Sequence, residues 1–168
     1  MNLAHPNVLF LVVLFLHIGG AIVAFGPTFA FPLIGAAGAR EPQHAGFAVR
    51  ITASISKGLV LPVALWVGAT GVLLIVVSGR SVGELWLGLA IALYVLAVGF
   101  SLFVAAPNTA RLVEAVSAAP PTPAPGAAVP AGPPPYVAAL VAKAQRNGSL
   151  MGVLLIAILL LMVFKPNL

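Results

Sequence analysis

Along this chain, long unbroken runs of apolar residues alternate with short polar stretches, and the runs are longer than a strand or a buried core helix requires. A helix rises 1.5 Å per residue, so about 18 or more apolar residues in a row are enough to cross a bilayer. Four runs fit this description: 8–34, 59–77, 85–106 and 148–164. The last is short by itself. It reaches spanning length when its helix begins before Gly148, which "AALVAKAQRNG" permits because it has no proline and reads as helix former throughout. The pattern predicts an all-α fold, a four-transmembrane-helix up-down bundle making one integral membrane domain over 1–168, with short amphipathic helices and a Pro/Ala-rich cytoplasmic linker.

The polar stretches refine this picture. After the third run, "NTARLVEAV" offers Asn108 or Thr109 as an N-cap and sets Leu112, Val113 and Val116 on one face, which predicts a short helix lying at the membrane surface. Residues 117–135 hold eight of the fifteen prolines and no charge, the composition of a semi-rigid, polyproline-like spacer. Pro135 is placed to open a helix that runs through Arg146 into the fourth span. Pro27, Pro32 and Pro62 fall inside or at the start of spans, where they predict kinks. Trp66, Trp86 and Tyr136 are candidate interface anchors, and Trp86, beside Glu84, suits the aromatic belt best.

Composition confirms the membrane setting: 61% of residues are hydrophobic, 7% are charged, and the mean hydropathy is +1.15. The net charge of +5 is scattered over loops without interleaved aromatics, so it does not point to nucleic acid. It reads as topology instead. Arg40, Arg50, Lys57, Arg111, Lys143 and Arg146 fall on one side and only Arg80 and Lys165 on the other, so loops 35–58 and 107–147 are expected in the cytoplasm and both termini outside. "MNLAHPN" has no Lys or Arg and precedes an apolar run about twice the length of a signal core, so the first span is read as retained. With no cysteine there is no disulfide framework or thiolate site.

Candidate chemistry is sparse. There is no Asp, the three Glu lie near membrane surfaces, and no nucleophile-base set is visible, so no enzymatic activity is expected from the residues. Met151 and Met162 are about 16 Å apart along a helix and cannot share one copper ion. The exception is His17, about 15 Å into a core about 30 Å thick, hence at the midplane. An intramembrane imidazole must satisfy a donor and an acceptor, and it is a candidate for a cofactor, a relay or a pathway. Two readings stay open. In one, His17 hydrogen-bonds to a neighbouring helix, with Thr70 and Tyr94 as candidate partners. In the other it is the axial ligand of haem b, with Gly20, Ala21 and Ala24 making room for the macrocycle. His5, about 18 Å away along a helix, cannot clamp the same iron, leaving water, Met or His17 of a second subunit for the opposite side. Transport of a metal ion or small solute past His17 is a weaker alternative, because no intramembrane carboxylate lines a path.

Small residues predict the contact faces: His17, Gly20, Ala21, Ala24 and Thr28 on the first span, Ala64, Gly68 and Gly71 on the second, and the Gly148/Gly152 pair on the fourth, for packing in the bundle or for a homodimer. Arg50, Ser54 and Lys57 share a face of the helix entering the second span and read as a site for anionic lipid or another anionic ligand.

"LHIGGAIVAFGP", "LPVALWVGATGVLLI" and the ending "LLLMVFKP" resemble an uncharacterised family of bacterial four-helix integral membrane proteins, a domain of unknown function. That family is distantly similar to the copper-resistance-D membrane proteins and to the membrane-bound protoporphyrinogen oxidases. The resemblance implies a bacterial cytoplasmic (inner) membrane location and associates a first-helix histidine, here His17, with haem. The chain departs from the oxidases in lacking a strongly polar third helix with its lysine, and from the copper proteins in lacking a methionine-rich motif. A non-catalytic small subunit or assembly factor of a membrane complex is the alternative role.

Overall fold

The computed structural model describes residues 7–118 and 133–166, and every regular element among them is helical. His5 and most of the proline-rich stretch, 119–132, lie outside the described residues. Four helices carry the fold: α1 (Val8–Arg40), α2 (Pro42–Ser78), α3 (Leu85–Ala118) and α4 (Pro135–Phe164), each long and apolar enough to cross a membrane. Their 30 to 37 residues span about 45 to 55 Å, against about 30 Å of hydrocarbon, so each projects beyond the bilayer.

This changes the expected boundaries. Most of the stretch 35–58 is helix: α1 continues to Arg40, and Glu41 alone separates it from the 3₁₀ turn Pro42–His44 that opens α2. Residues 107–118 extend α3, and 135–147 form the first turns of α4, beginning at Pro135 as the sequence predicts. Hydropathy marks only the part of a helix that lipid surrounds. Beyond it these helices are held by one another, around a small core of Leu112, Ala115 and Val137 flanked by Val49, Val116, Leu140, Val141 and Ala144. The amphipathic face of "NTARLVEAV" is therefore buried against α2 and α4 and is not laid on the membrane surface. Asn108 is no cap either. It sits inside α3, 3% exposed, with Nδ2 donating to the Leu140 carbonyl at 3.2 Å, while Thr109 bonds back to the Ala105 carbonyl. Leu112→Ala should lower stability by about 2–3 kcal/mol through the cavity it leaves, measured by thermal unfolding in detergent.

Two short π segments interrupt the long helices, Ser56–Val60 in α2 and Ser101–Ala105 in α3. Each lies just before a proline, Pro62 or Pro107, whose missing N–H would leave a carbonyl unpaired in a regular helix. The turn there is one residue wider: Leu61 N–H donates to the Ser56 carbonyl and Ala106 N–H to the Ser101 carbonyl, and both helices continue without a break. α1 likewise runs unbroken through Pro27 and Pro32.

Side-chain contacts set how the helices meet. His17 meets α2 at Val67 and Thr70 while Gly38 meets it at Ala48, where an added Cβ would come within 2.8 Å of the Ala48 Cβ. Tyr94 of α3 meets Ala64, and Val116 lies against Gly46. Asn108 meets Leu140 of α4, and α4 also touches α1. These registers bring the two π segments to one level.

At the opposite end α2 stops at Gly79, whose φ of 63° is left-handed and suits glycine. Glu84 Oε2 there accepts from Arg80 Nη1 and from Trp86 Nε1, both at 2.9 Å, and Arg80 and Lys165 lie 5.6 and 5.8 Å from the Trp86 ring centroid. Trp86, expected as an interface anchor beside Glu84, is buried and capped by two cations, and its N–H finds Glu84 within the protein. Trp66 and Tyr136 remain exposed.

Candidate functional site

The groups that surround His17 come from one turn of α2. His17 Nδ1 lies 3.0 Å from the Val67 carbonyl oxygen and 3.2 Å from Thr70 Oγ1. A carbonyl can only accept, so the short contact requires the proton on Nδ1. A hydroxyl donating to a bare Nδ1 would leave that nitrogen facing the Val67 oxygen with two lone pairs opposed. The consistent network has Nδ1–H shared between Val67 O and Thr70 Oγ1. The Thr70 hydroxyl then passes its own proton to the carbonyl of Trp66 or Val67, each at 3.0 Å. Thr70 is 4% exposed, and its polar atoms are fully used in this arrangement.

The consequence is a fixed tautomer. With Nδ1 protonated and anchored, Nε2 carries the lone pair, and it makes no hydrogen bond among the described residues. Gly71 gives the ring its seat, since a Cβ there would lie 3.2 Å from His17 Cε1. The sequence singled out Thr70 and Gly71 but not the Val67 carbonyl, because a backbone acceptor leaves no mark in residue type.

The other expected site residues fall as follows. Gly20 packs on α2, where a Cβ would meet Val67 Cγ2 at 3.0 Å and Trp66 Cδ1 at 3.2 Å, and Ala24 is wholly buried while Ala21 is half-buried. Gly20 therefore forms part of the footprint of α2. Tyr94 does not reach His17: its hydroxyl donates to the Ala64 carbonyl at 2.9 Å, and its ring rests on Gly68, whose added Cβ would come within 2.8 Å of the ring Cζ. Gly148 and Gly152 have nothing within 4 Å of an added Cβ, so close packing inside the bundle does not use them.

Arg50 and Lys57 are exposed and form no ion pair among the described residues. Arg50 folds back along α2, Nη1 lying 3.2 Å from where a Gly46 Cβ would stand, and Lys57 is about 10 Å further along the axis in the π segment. The two cations do not converge on one point. No group of three or more His, Cys, Asp or Glu is placed to hold a metal ion among the described residues.

Residues 11–166 match the family described as "Predicted integral membrane protein (DUF2269)". No curated protein and no solved structure matches the chain.

Proposed function

The chain belongs to the DUF2269 family of predicted integral membrane proteins; from the surroundings of His17 we propose that it is a haem-linked redox module of a bacterial inner membrane, in which His17 would hold haem b. The observation that carries this reading is the Nδ1–H contact with the Val67 carbonyl. A ligating histidine ordinarily donates its other ring N–H to a carbonyl or carboxylate, which fixes the tautomer and raises the basicity of the ligating nitrogen. That arrangement is already built here at the bilayer midplane, and the donor set, one neutral imidazole with a free Nε2, fits a haem iron. His17 would hold the group through Nε2, with Thr70 and Val67 keeping the ring oriented. When bound, haem supplies one-electron transfer. In this reading the protein is an up-down bundle with its termini outside and the cation-rich ends of its helices in the cytoplasm, the six-to-two distribution of Lys and Arg supporting the orientation.

One observation favours a second reading, a small subunit or assembly factor of a membrane complex: Gly148 and Gly152 leave a stretch of α4 open to another helix.

Haemin titration of the detergent-solubilised protein separates the two. The haem reading expects a saturable difference spectrum that ends at one haem per chain, or one per two chains if His17 is contributed by both copies. Linear, unsaturable uptake identical to that of empty micelles would contradict it.

A further inference from the structure

We propose that the outward face of α4 is a binding site for an anionic phospholipid, with Lys143 and Arg146 holding the phosphate of the headgroup. Ala139, Ala142, Lys143 and Arg146 line a surface depression of about 410 Å³. Ala142, Lys143 and Arg146 lie three, four and seven residues after Ala139, so the four share a face, and all are exposed. The two alanines leave the floor low and the two cations stand at its edge. Neither cation forms an ion pair among the described residues, and α4 carries no carboxylate side chain.

Depth argues for a lipid as the occupant. Lys143 lies 21 residues from Phe164, the last residue of α4. That is about 31 Å of helix, the thickness of the hydrocarbon core, so the lysine stands at the headgroup plane. Lys57 stands at the same distance from Ser78, the end of α2, which fixes this level independently. Below the cations, Leu150, Val153 and Leu160 continue the same face of α4 and are 45%, 64% and 50% exposed, a rail along which an acyl chain can lie. Charge, a recess and an apolar track thus occur in the order in which a phospholipid presents its phosphate, glycerol and chains. Lysine and arginine near the surface of an anionic leaflet each strengthen its binding, and this pair faces a single headgroup.

Native mass spectrometry of the full chain, with added phosphatidylglycerol or phosphatidylcholine, tests the assignment. One phosphatidylglycerol should be retained per chain, and Lys143→Gln/Arg146→Gln should weaken it about thirtyfold, well beyond the effect of Arg50→Gln/Lys57→Gln. Ala142→Leu, which fills the recess without altering charge, should weaken it as well and keeps the test valid if the double variant folds poorly. Equal retention of the two lipids would overturn the proposal. So would phosphatidylglycerol binding that survives both the double variant and Ala142→Leu, or that is lost only with Arg50 and Lys57.

Discussion

Gly68→Ala is expected to destabilise the protein by about 1–3 kcal/mol, although replacing glycine by alanine inside a helix is ordinarily favourable by about 1 kcal/mol. The reason is the Tyr94 ring, which rests on the bare backbone of α2 at Gly68. From there its hydroxyl reaches the Ala64 carbonyl. A methyl group at position 68 occupies the volume of the ring, so α3 must withdraw or Tyr94 must leave. Apart from this contact the bilayer-embedded parts of α2 and α3 touch little, whereas α1 lies closely along α2. Tyr94 is therefore the main tie between the two helices at that depth. Tyr94→Phe keeps the ring and removes only the hydrogen bond, at a cost of about 0.6 kcal/mol for such bonds in membranes. The discriminating comparison is Gly68→Ala on a Tyr94→Ala background, where the clash is absent and the substitution should be neutral or stabilising in thermal unfolding. An equal loss on both backgrounds would show that Gly68 is needed for a reason other than Tyr94.

His17→Ala is expected to have a small effect on stability and a complete effect on cofactor content. The interhelical bond from Nδ1 to the Val67 carbonyl is worth about 0.6 kcal/mol and at most about 1.7, because that carbonyl also lies within the hydrogen-bonded ladder of α2. The Nε2 lone pair, by contrast, has no substitute at that depth: the remaining described histidine, His44, sits in the turn between α1 and α2, 3.7 Å from Glu41. Thr70→Val should behave differently. It keeps the Val67 contact and the ligand but removes one of the two oxygens that hold the ring, so haem should still bind, with a shifted reduced spectrum and a broader range of ring orientations.

The spans, their number and the start of α4 at Pro135 were legible because apolar runs of bilayer length seldom occur outside membrane helices, and a proline fits a helix best in its first turn. The true helix lengths were not. Outside lipid the signal changes from hydropathy to amphipathic packing. "NTARLVEAV" carries the same face whether it lies on a membrane or, as here, against α2 and α4, and the burial of Asn108 depends on the partner it meets. Asn108 also keeps a buried Oδ1 without a hydrogen-bond partner. Asn108→Leu should accordingly be neutral or stabilising, checked by the same unfolding assay, since it removes an unsatisfied acceptor and the Leu140 carbonyl lies within the α4 helix. Small-residue spacing identified the α1–α2 seam through Gly20, Ala24 and Gly71, and the seat of Tyr94 through Gly68, but it named Gly148 and Gly152 equally, and these face open space. Spacing shows where close approach is allowed, and only the fold shows which allowance is taken. For His17 the sequence supplied the depth and one partner, Thr70. The tautomer, on which the haem reading turns, required the position of a backbone oxygen.

The most direct test of that reading is the absorption spectrum, from about 350 to 700 nm, of gently solubilised protein expressed with ample haem, oxidised and then dithionite-reduced, beside His17→Ala prepared in the same way. A Soret band in the parent that disappears in a His17→Ala protein of near-parental stability is the predicted result. A featureless spectrum from the parent, or a band that persists unchanged without His17, would contradict it and leave the histidine as a clamp between α1 and α2.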